Sequence, residues 1–355
     1  MHGGDIYTRR VRADFSINVN PMGLAEPVRQ ALIRSADLCV HYPDPACREL
    51  RGMLAERASV ETKQVVAGNG ASELITAIVQ AVQPRRALLL SPCFSGYERA
   101  LEAAMAQCFY LSTDADHRFL PGEEWISELR QVRPDLVFLT NPGNPAGSMF
   151  SRAQVLAAAD SLRLRGGILV VDECFLPLSD RPEESVLADV QSFRSRSNLI
   201  VLNAFTKTYC IPGVRLGYCV CADSILAAKI AAQLPEWSVS VPAQEAGKAC
   251  MQLPAEYISD SVALIRRERA RLTVGLRGLD GAVSRIIPSE TCFLLFQSRR
   301  KDWKKRLLER GILIRSCVDY DELDESWFRI AVRTPEENDL LLSAMREILG
   351  QRKAE

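Results

Sequence analysis

The sequence predicts an α/β protein, with a mostly parallel sheet flanked by helices in a large domain and a smaller α+β domain after it. Three observations carry this. Short apolar runs recur between turn residues: RALLLSP (86–92), LVFLTNP (136–142), GILVVDECF (167–175), LIVLNAF (199–205) and LGYCVC (216–221). They are continuous rather than alternating, the pattern of strands buried on both faces of a parallel sheet. Helix-period segments lie between several of them, so strands and helices alternate over roughly 60–230. After about residue 240 the pattern changes to a long charged helix and a few further strands and helices.

Taken in order, SELITAIVQAV (72–82) and YERALEAAMAQ (97–107) place apolar residues at helical spacing. AQVLAAADSLRLR (153–165) does the same, with Ser151 positioned as its N-cap. In the C-terminal part, 255–279 reads as a long helix, ETCFLLFQ (290–297) as a strand and DWKKRLLERG (302–311) as a helix. ILIRSC (312–317) and WFRIAVR (327–333) read as strands, and EENDLLLSAMREIL (336–349) as a terminal helix. The basic run RRERAR (266–271) reads as a solvated helix face. No internal repeat and no low-complexity linker interrupts the chain.

At 355 residues the chain can bury a large core and divide into two domains. Lysine plus arginine equals aspartate plus glutamate, 44 each, which argues against an extended nucleic-acid groove or an electrostatic membrane anchor. No apolar run reaches the length of a membrane span, and the N-terminus lacks a signal peptide's apolar core. The eleven cysteines include no CxxC pair, and with three histidines and no metal-ligand spacing no zinc site is expected. The expectation is a reduced, cytoplasmic enzyme that binds neither nucleic acid nor membrane.

Loops at the carboxyl ends of parallel strands are where such folds place chemistry. Five of them carry unusual residues. AGNGASEL (67–74) opens a helix with small residues, and free amides at a helix start attract phosphate. Read alone, it is equally a turn and a helix cap. SPCFSGY (91–97) offers Phe94 and Tyr97 either to a planar ligand or to the core. TNPGNPAG (140–147) is stiffened by two X-Pro bonds and holds Asn144 in its turn. LVVDECF places Asp172 and Glu173 directly after an apolar strand, where a carboxylate needs a cation or hydrogen-bond donors. NAFTKTYCIPGVRLGY (203–218) sets Lys207 just past a buried strand and Arg215 eight residues on.

Together these pieces offer helix-start amides and an arginine for a phosphate, an aromatic for a ring face and an asparagine for a ring oxygen. They also supply a carboxylate for a ring nitrogen and an amine for an aldehyde. Pyridoxal 5′-phosphate (PLP) has all of those groups. With GNG…NPxG…DE…TK-x7-R in order, the chain resembles, from about 14 to 349, the fold-type I PLP enzymes of aminotransferase class I/II. Within that class it resembles the histidinol-phosphate aminotransferase branch, and more closely the threonine-phosphate decarboxylase family of cobalamin synthesis. The segments that carry this are HGG (2–4), DFSINVNPMG (14–23), HYPDP (41–45), TKTYCIPGVRLGY (206–218), PEWSVS (235–240), ILIRSC (312–317) and WFRIAVRT (327–334).

The resemblance implies a PLP-dependent transferase-like fold with an N-terminal arm (1–35) joining the small domain, a large PLP-binding domain (36–245) and a small C-terminal domain (246–355). It implies that Lys207 is the Schiff-base lysine, Asp172 the partner of the pyridine nitrogen and Asn144 the ligand of the ring 3′-oxygen. Ala71, Ser72 and Arg215 would hold the cofactor phosphate, and Phe94 would stack on the ring. Arg329 matches the arginine that grips the substrate carboxylate. Tyr42 matches a tyrosine that reaches the neighbouring subunit's cofactor phosphate, which implies a homodimer with shared sites. His2, Asn20 and Arg315 fall where a decarboxylase meets its substrate.

Two positions depart from the pattern. The family's hydroxyl residue three before the lysine is Ala204 here, with Thr206 placed to compensate. The aminotransferases' tyrosine three after the aspartate is Phe175, which can make no bond to the 3′-oxygen. The implied reaction is decarboxylation of L-threonine O-3-phosphate to (R)-1-amino-2-propanol O-2-phosphate. The alternative is a histidinol-phosphate aminotransferase or related enzyme.

Overall fold

The computed structural model describes residues 3–8, 10–122, 125–279 and 281–350. Its centre is a seven-stranded sheet in the order Val65–Gly68, Gly217–Cys221, Leu199–Ala204, Ile168–Asp172, Leu136–Thr140, Arg86–Ser91, Gln107–Ser112. Successive residues of each inner strand feed opposite faces, as a pleated ribbon requires. Val137, Leu139, Leu169, Val171, Leu199 and Val201 join one apolar core. Leu136, Phe138, Val170, Ile200 and Leu202 join the other. Burial on both faces therefore explains the continuous apolar runs.

The helices predicted between strands form at Ala71–Val82, Ser95–Ala103 and Arg152–Arg163. Ser151 caps the third as expected, its side chain accepting from the Gln154 N–H. The prediction that 97–107 is helical overruns, because Gln107–Ser112 is the edge strand of the sheet. That strand is partly exposed, so it lacks the apolar signature of its neighbours. Val65–Gly68 was also not predicted; with four residues it is too short to show a period.

One apolar run behaves differently from the rest. Gly217–Cys221 is antiparallel to both of its neighbours, Leu199–Ala204 and Val65–Gly68. A parallel return needs a crossover of a dozen or more residues, usually a helix packed on the sheet. Residues 205–216 contain only the short helix Phe205–Thr208 and a single turn at Pro212–Val214. The chain therefore folds straight back, and both ends of this return, with Lys207 and Arg215, stay at one edge of the sheet. The other strands' carboxyl ends, at Gly68, Ser91, Thr140 and Asp172, lie along the same edge.

The C-terminal part holds a four-stranded antiparallel sheet in the order Arg315–Ser316, Trp327–Ala331, Phe293–Ser298, Val283–Ile286. The helices Glu256–Arg277 and Pro335–Gly350 pack on each other and contribute to its core through Leu272, Leu276, Leu341 and Met345. The N-terminal segment joins this part: Ala13–Asp14 pairs in parallel with Ile312–Leu313, and Phe15 is buried in the same core. From there the segment runs to the lysine return, where the Asn20 N–H donates to the Lys207 carbonyl at 2.9 Å. The helix Glu26–Leu38 then packs on Val241–Met251. The four-stranded sheet, the seven-stranded sheet and this segment meet around one cavity.

Candidate active site

A cavity of about 540 Å³ opens at the carboxyl edge of the large sheet. Each strand end delivers a side chain to it. Lys207 follows Leu199–Ala204, Asp172 ends Ile168–Asp172, Asn144 follows Leu136–Thr140, and Phe94 follows Arg86–Ser91. Ala71, Ser72, Thr206 and Arg215 line the same space, as do Arg315 and Arg329 from the C-terminal sheet. The two departures, Ala204 and Phe175, are in its wall as well.

The phosphate corner is built on glycine. Gly70 sits at φ 81°, ψ 165°, a conformation essentially confined to glycine, and offers no side-chain cap to the helix that starts at Ala71. A Cβ on Gly70 would lie 2.7 Å from Arg215 Nη2, so the missing side chain makes room for the guanidinium. Gly217 is constrained too, since its Cβ would meet the Ala71 nitrogen at 2.8 Å. An arginine thus lies against an uncapped helix start, where amide dipoles and a fixed cation both favour an anion.

Asp172 is buried and anchored through both oxygens. Oδ1 accepts the Cys174 N–H at 2.9 Å, and Oδ2 accepts the Tyr97 hydroxyl at 2.6 Å. Lys207 lies nearby with Nζ 6.0 Å from the centre of the Phe175 ring. Among the described residues Nζ has no hydrogen-bond or ion-pair partner. Burial holds the Lys207 ammonium below the usual lysine range; Arg329 and Arg215 act in the same direction, against an opposing pull from Cys174. The fold therefore favours the neutral, nucleophilic amine.

The C-terminal sheet's side of the cavity is arginine-rich. Arg329 and Arg315 stand directly opposite each other on adjacent antiparallel strands, and both are buried. Arg329 donates to Asn144 Oδ1 and, at 2.9 Å, to the Ser16 carbonyl. Its Nε is buried without a partner. Arg315 is held by Asp319 at 2.8 Å, with its Cζ 5.3 Å from the centre of the Tyr320 ring. Tyr320 also approaches Arg329 Nη1 at 3.3 Å.

Two of the described residues named from sequence, Tyr42 and Asn20, do not fall on this lining. His2 lies outside the described residues. Tyr42 is 80% exposed and packs its ring against Trp237 at 4.7 Å. Asn20 is fully buried, and its amide is spent on the Thr208 carbonyl at 2.9 Å and Ser261 Oγ at 2.7 Å. Its Oδ1 accepts the Met22 N–H, the turn that an Asn-Pro pair initiates. That pairing was the available signal that Asn20 was already committed. Asn18, two residues earlier, takes the place instead: it lines the cavity, is 3% exposed, and has a buried Oδ1 with no partner. Tyr97 and Tyr320 are the other residues the sequence reading did not assign to the site's polar network.

The residues fit PLP on these observations. An unpartnered amine of lowered pKa, an anchored buried carboxylate and an anion cradle shaped by Gly70 share one cavity. Buried polar atoms of Asn18 and Arg329 await ligand partners there.

Comparison with known proteins agrees with this geometry. The family model for aminotransferase class I and II matches residues 12–345. The chain is 34% identical over 341 residues to the threonine-phosphate decarboxylase of Salmonella typhimurium, covering 95% of this chain and 91% of that protein. It is 31% identical to histidinol-phosphate aminotransferase 2 of Archaeoglobus fulgidus, covering 94% and 92%. The crystal structure of L-threonine-O-3-phosphate decarboxylase from Porphyromonas gingivalis superimposes with a TM-score of 0.82 at 28% identity, over 95% of this chain and 99% of that one. The chain belongs to the class I and II aminotransferase family and is a PLP-dependent enzyme of fold type I.

Proposed function

We propose that the enzyme decarboxylates L-threonine O-3-phosphate to (R)-1-amino-2-propanol O-2-phosphate, the linker precursor of cobalamin. The observation that carries this reading is the pair of facing, buried arginines, Arg315 and Arg329, in the cavity that holds Lys207. Two fixed guanidinium groups suit a substrate with two anionic ends, a phosphate and a carboxylate. Histidinol phosphate has only the first, and the glutamate of the alternative reaction has two carboxylates but no phosphate. Phe175, which offers no hydroxyl to the cofactor's 3′-oxygen, and the similarity to threonine-phosphate decarboxylases support the same choice.

Bound PLP supplies an electron sink for the pair left at Cα when a bond there breaks. The protein decides which bond that is. Arg329, braced by Asn144 and the Ser16 carbonyl, holds the substrate carboxylate. Arg315 receives the phosphate, and Asn18 lines the same cavity. With both ends held, these residues would set the rotation about Cα and so select the carboxylate rather than the hydrogen as the group lost. Asp172 keeps the proton on the ring nitrogen, a charge-assisted hydrogen bond contributing about 1.5–3 kcal/mol. Lys207 Nζ would be the nucleophile toward the aldehyde, and Lys207 or a water beside it would relay a proton taken up from solvent to Cα.

By the family resemblance Tyr42, exposed beside Trp237, would reach a second copy, and we read the working form as a homodimer in the cytoplasm. Incubating PLP-loaded protein with threonine phosphate and measuring released CO2 tests the proposal. Stoichiometric CO2 supports it. No CO2, together with glutamate-dependent transamination of histidinol phosphate, reverses it.

A further inference from the structure

Asp172 is braced by a directed chain of hydroxyls that the proposed chemistry does not yet use. Tyr97 Oη lies 2.6 Å from Asp172 Oδ2 and 2.9 Å from Thr140 Oγ1. A phenol has one proton. With that proton on the carboxylate, Thr140 must donate to the Tyr97 oxygen, and the chain runs Thr140 to Tyr97 to Asp172. Burial, and then the charge of Asp172, push the Tyr97 phenol well above its usual range, so it stays a donor. The same side chain fixes the aromatic wall. Its ring stacks on Phe138 at 4.7 Å and 11°, and meets Phe94 edge-on at 5.5 Å and 87°. One residue thereby sets both the stacking ring and the orientation of the carboxylate.

We propose that Tyr97 is a positioning residue that, backed by Thr140, holds the Asp172 carboxylate in the orientation that binds the proton on the cofactor's ring nitrogen. Two donors on Asp172, Tyr97 and the Cys174 N–H, fix the plane of its carboxylate. Without the Tyr97 donor, the carboxylate can turn away from the ring nitrogen and supports the proton there less well. The ring becomes a weaker electron sink, and the Lys207-linked nitrogen holds its own proton to higher pH. This inference rests on PLP as the cofactor and not on which substrate is used, so it stands whether the reaction is decarboxylation or transamination.

The test is Tyr97→Phe, which keeps the ring contacts and removes only the hydroxyl. The visible absorbance of the PLP-loaded protein is titrated against pH without substrate. The midpoint for loss of the long-wavelength band is expected to move up by about one pH unit, the size of one charge-assisted hydrogen bond. The other ionisable groups facing Asp172, namely Glu173, Cys174 and Lys207, are unchanged in the variant. Thr140→Val, which removes the donor behind Tyr97, should shift the midpoint in the same direction by less. With whichever substrate proves to be turned over, kcat should fall about tenfold in Tyr97→Phe with KM nearly unchanged. A Tyr97→Phe protein that melts earlier but titrates like the parent overturns the inference, because Tyr97 is then only packing. If Tyr97→Phe fails to fold, an unshifted Thr140→Val overturns it equally.

Discussion

Gly70→Ala attacks the corner around Arg215 through the backbone without replacing any side chain assigned to the cofactor. The alanine must hold φ 81°, ψ 165°, at a cost of about 1–3 kcal/mol in that glycine-only region. Its Cβ would also sit 2.7 Å from Arg215 Nη2 and 3.2 Å from Cζ, inside van der Waals contact. The guanidinium is the far end of a flexible chain and can move, but only by leaving the helix start against which it lies. Losing one charge-assisted hydrogen bond there costs about 1.5–3 kcal/mol, or roughly 10- to 100-fold in PLP affinity. The assay is titration of PLP into cofactor-free protein, read by visible absorbance, with thermal melting run in parallel. Backbone strain appears in the melting temperature and Arg215 displacement in the affinity. In an Arg215→Ala background, Gly70→Ala should keep its stability cost and lose most of its effect on affinity. A Gly70→Ala protein that binds PLP as tightly as the parent would refute the assignment of Arg215 to the phosphate.

Other residues give equally direct tests. Arg329→Ala should lower kcat/KM for the amino-acid substrate by roughly 10- to 100-fold while PLP binding is retained, as steady-state kinetics and absorbance would show. Asn18→Leu removes a buried polar atom that has no partner, so the unliganded protein should melt no earlier, while the substrate KM rises about tenfold. Glu173 is pushed up to about 7, by burial first, partly offset by hydrogen bonds from Ser185 and Val186. Its folded pKa lies above its unfolded one, so its contribution is complete below about pH 4.5 and is lost as pH rises through about 7. That contribution is on the order of 3 kcal/mol. Glu173→Gln should therefore leave stability near pH 5 little changed and raise it at pH 8, as urea denaturation at the two pH values would report.

The sequence revealed most where one physical cause acts alone. Strands buried on both faces must be apolar throughout, which is why four of the five predicted runs are parallel strands close to their expected limits. The same signature says nothing about direction, and Gly217–Cys221 proved antiparallel because the segment before it is too short for a crossover. Edge strand Gln107–Ser112 escaped for the opposite reason: half wetted, it carries no continuous apolar run. The motif order put eight cofactor positions, from Ala71 to Arg215, on the wall of one cavity. Motifs do not show which neighbouring amide a turn has already used. Asn18 and Asn20 look alike in DFSINVNP, yet one is committed to the Met22 turn and the other is left facing the cavity. Nor could spacing show that Tyr97, three residues after Phe94, turns inward to Asp172.

The central claim is that this site breaks the Cα–carboxylate bond and returns a proton to Cα. Running the reaction on threonine phosphate in deuterated water and analysing the products by mass spectrometry tests it directly. The predicted product is aminopropanol phosphate with a single deuterium at the former Cα, formed together with CO2 and with no keto acid. Threonine phosphate recovered with deuterium at Cα and its carboxylate intact, or a keto acid accumulating in its place, would contradict the account.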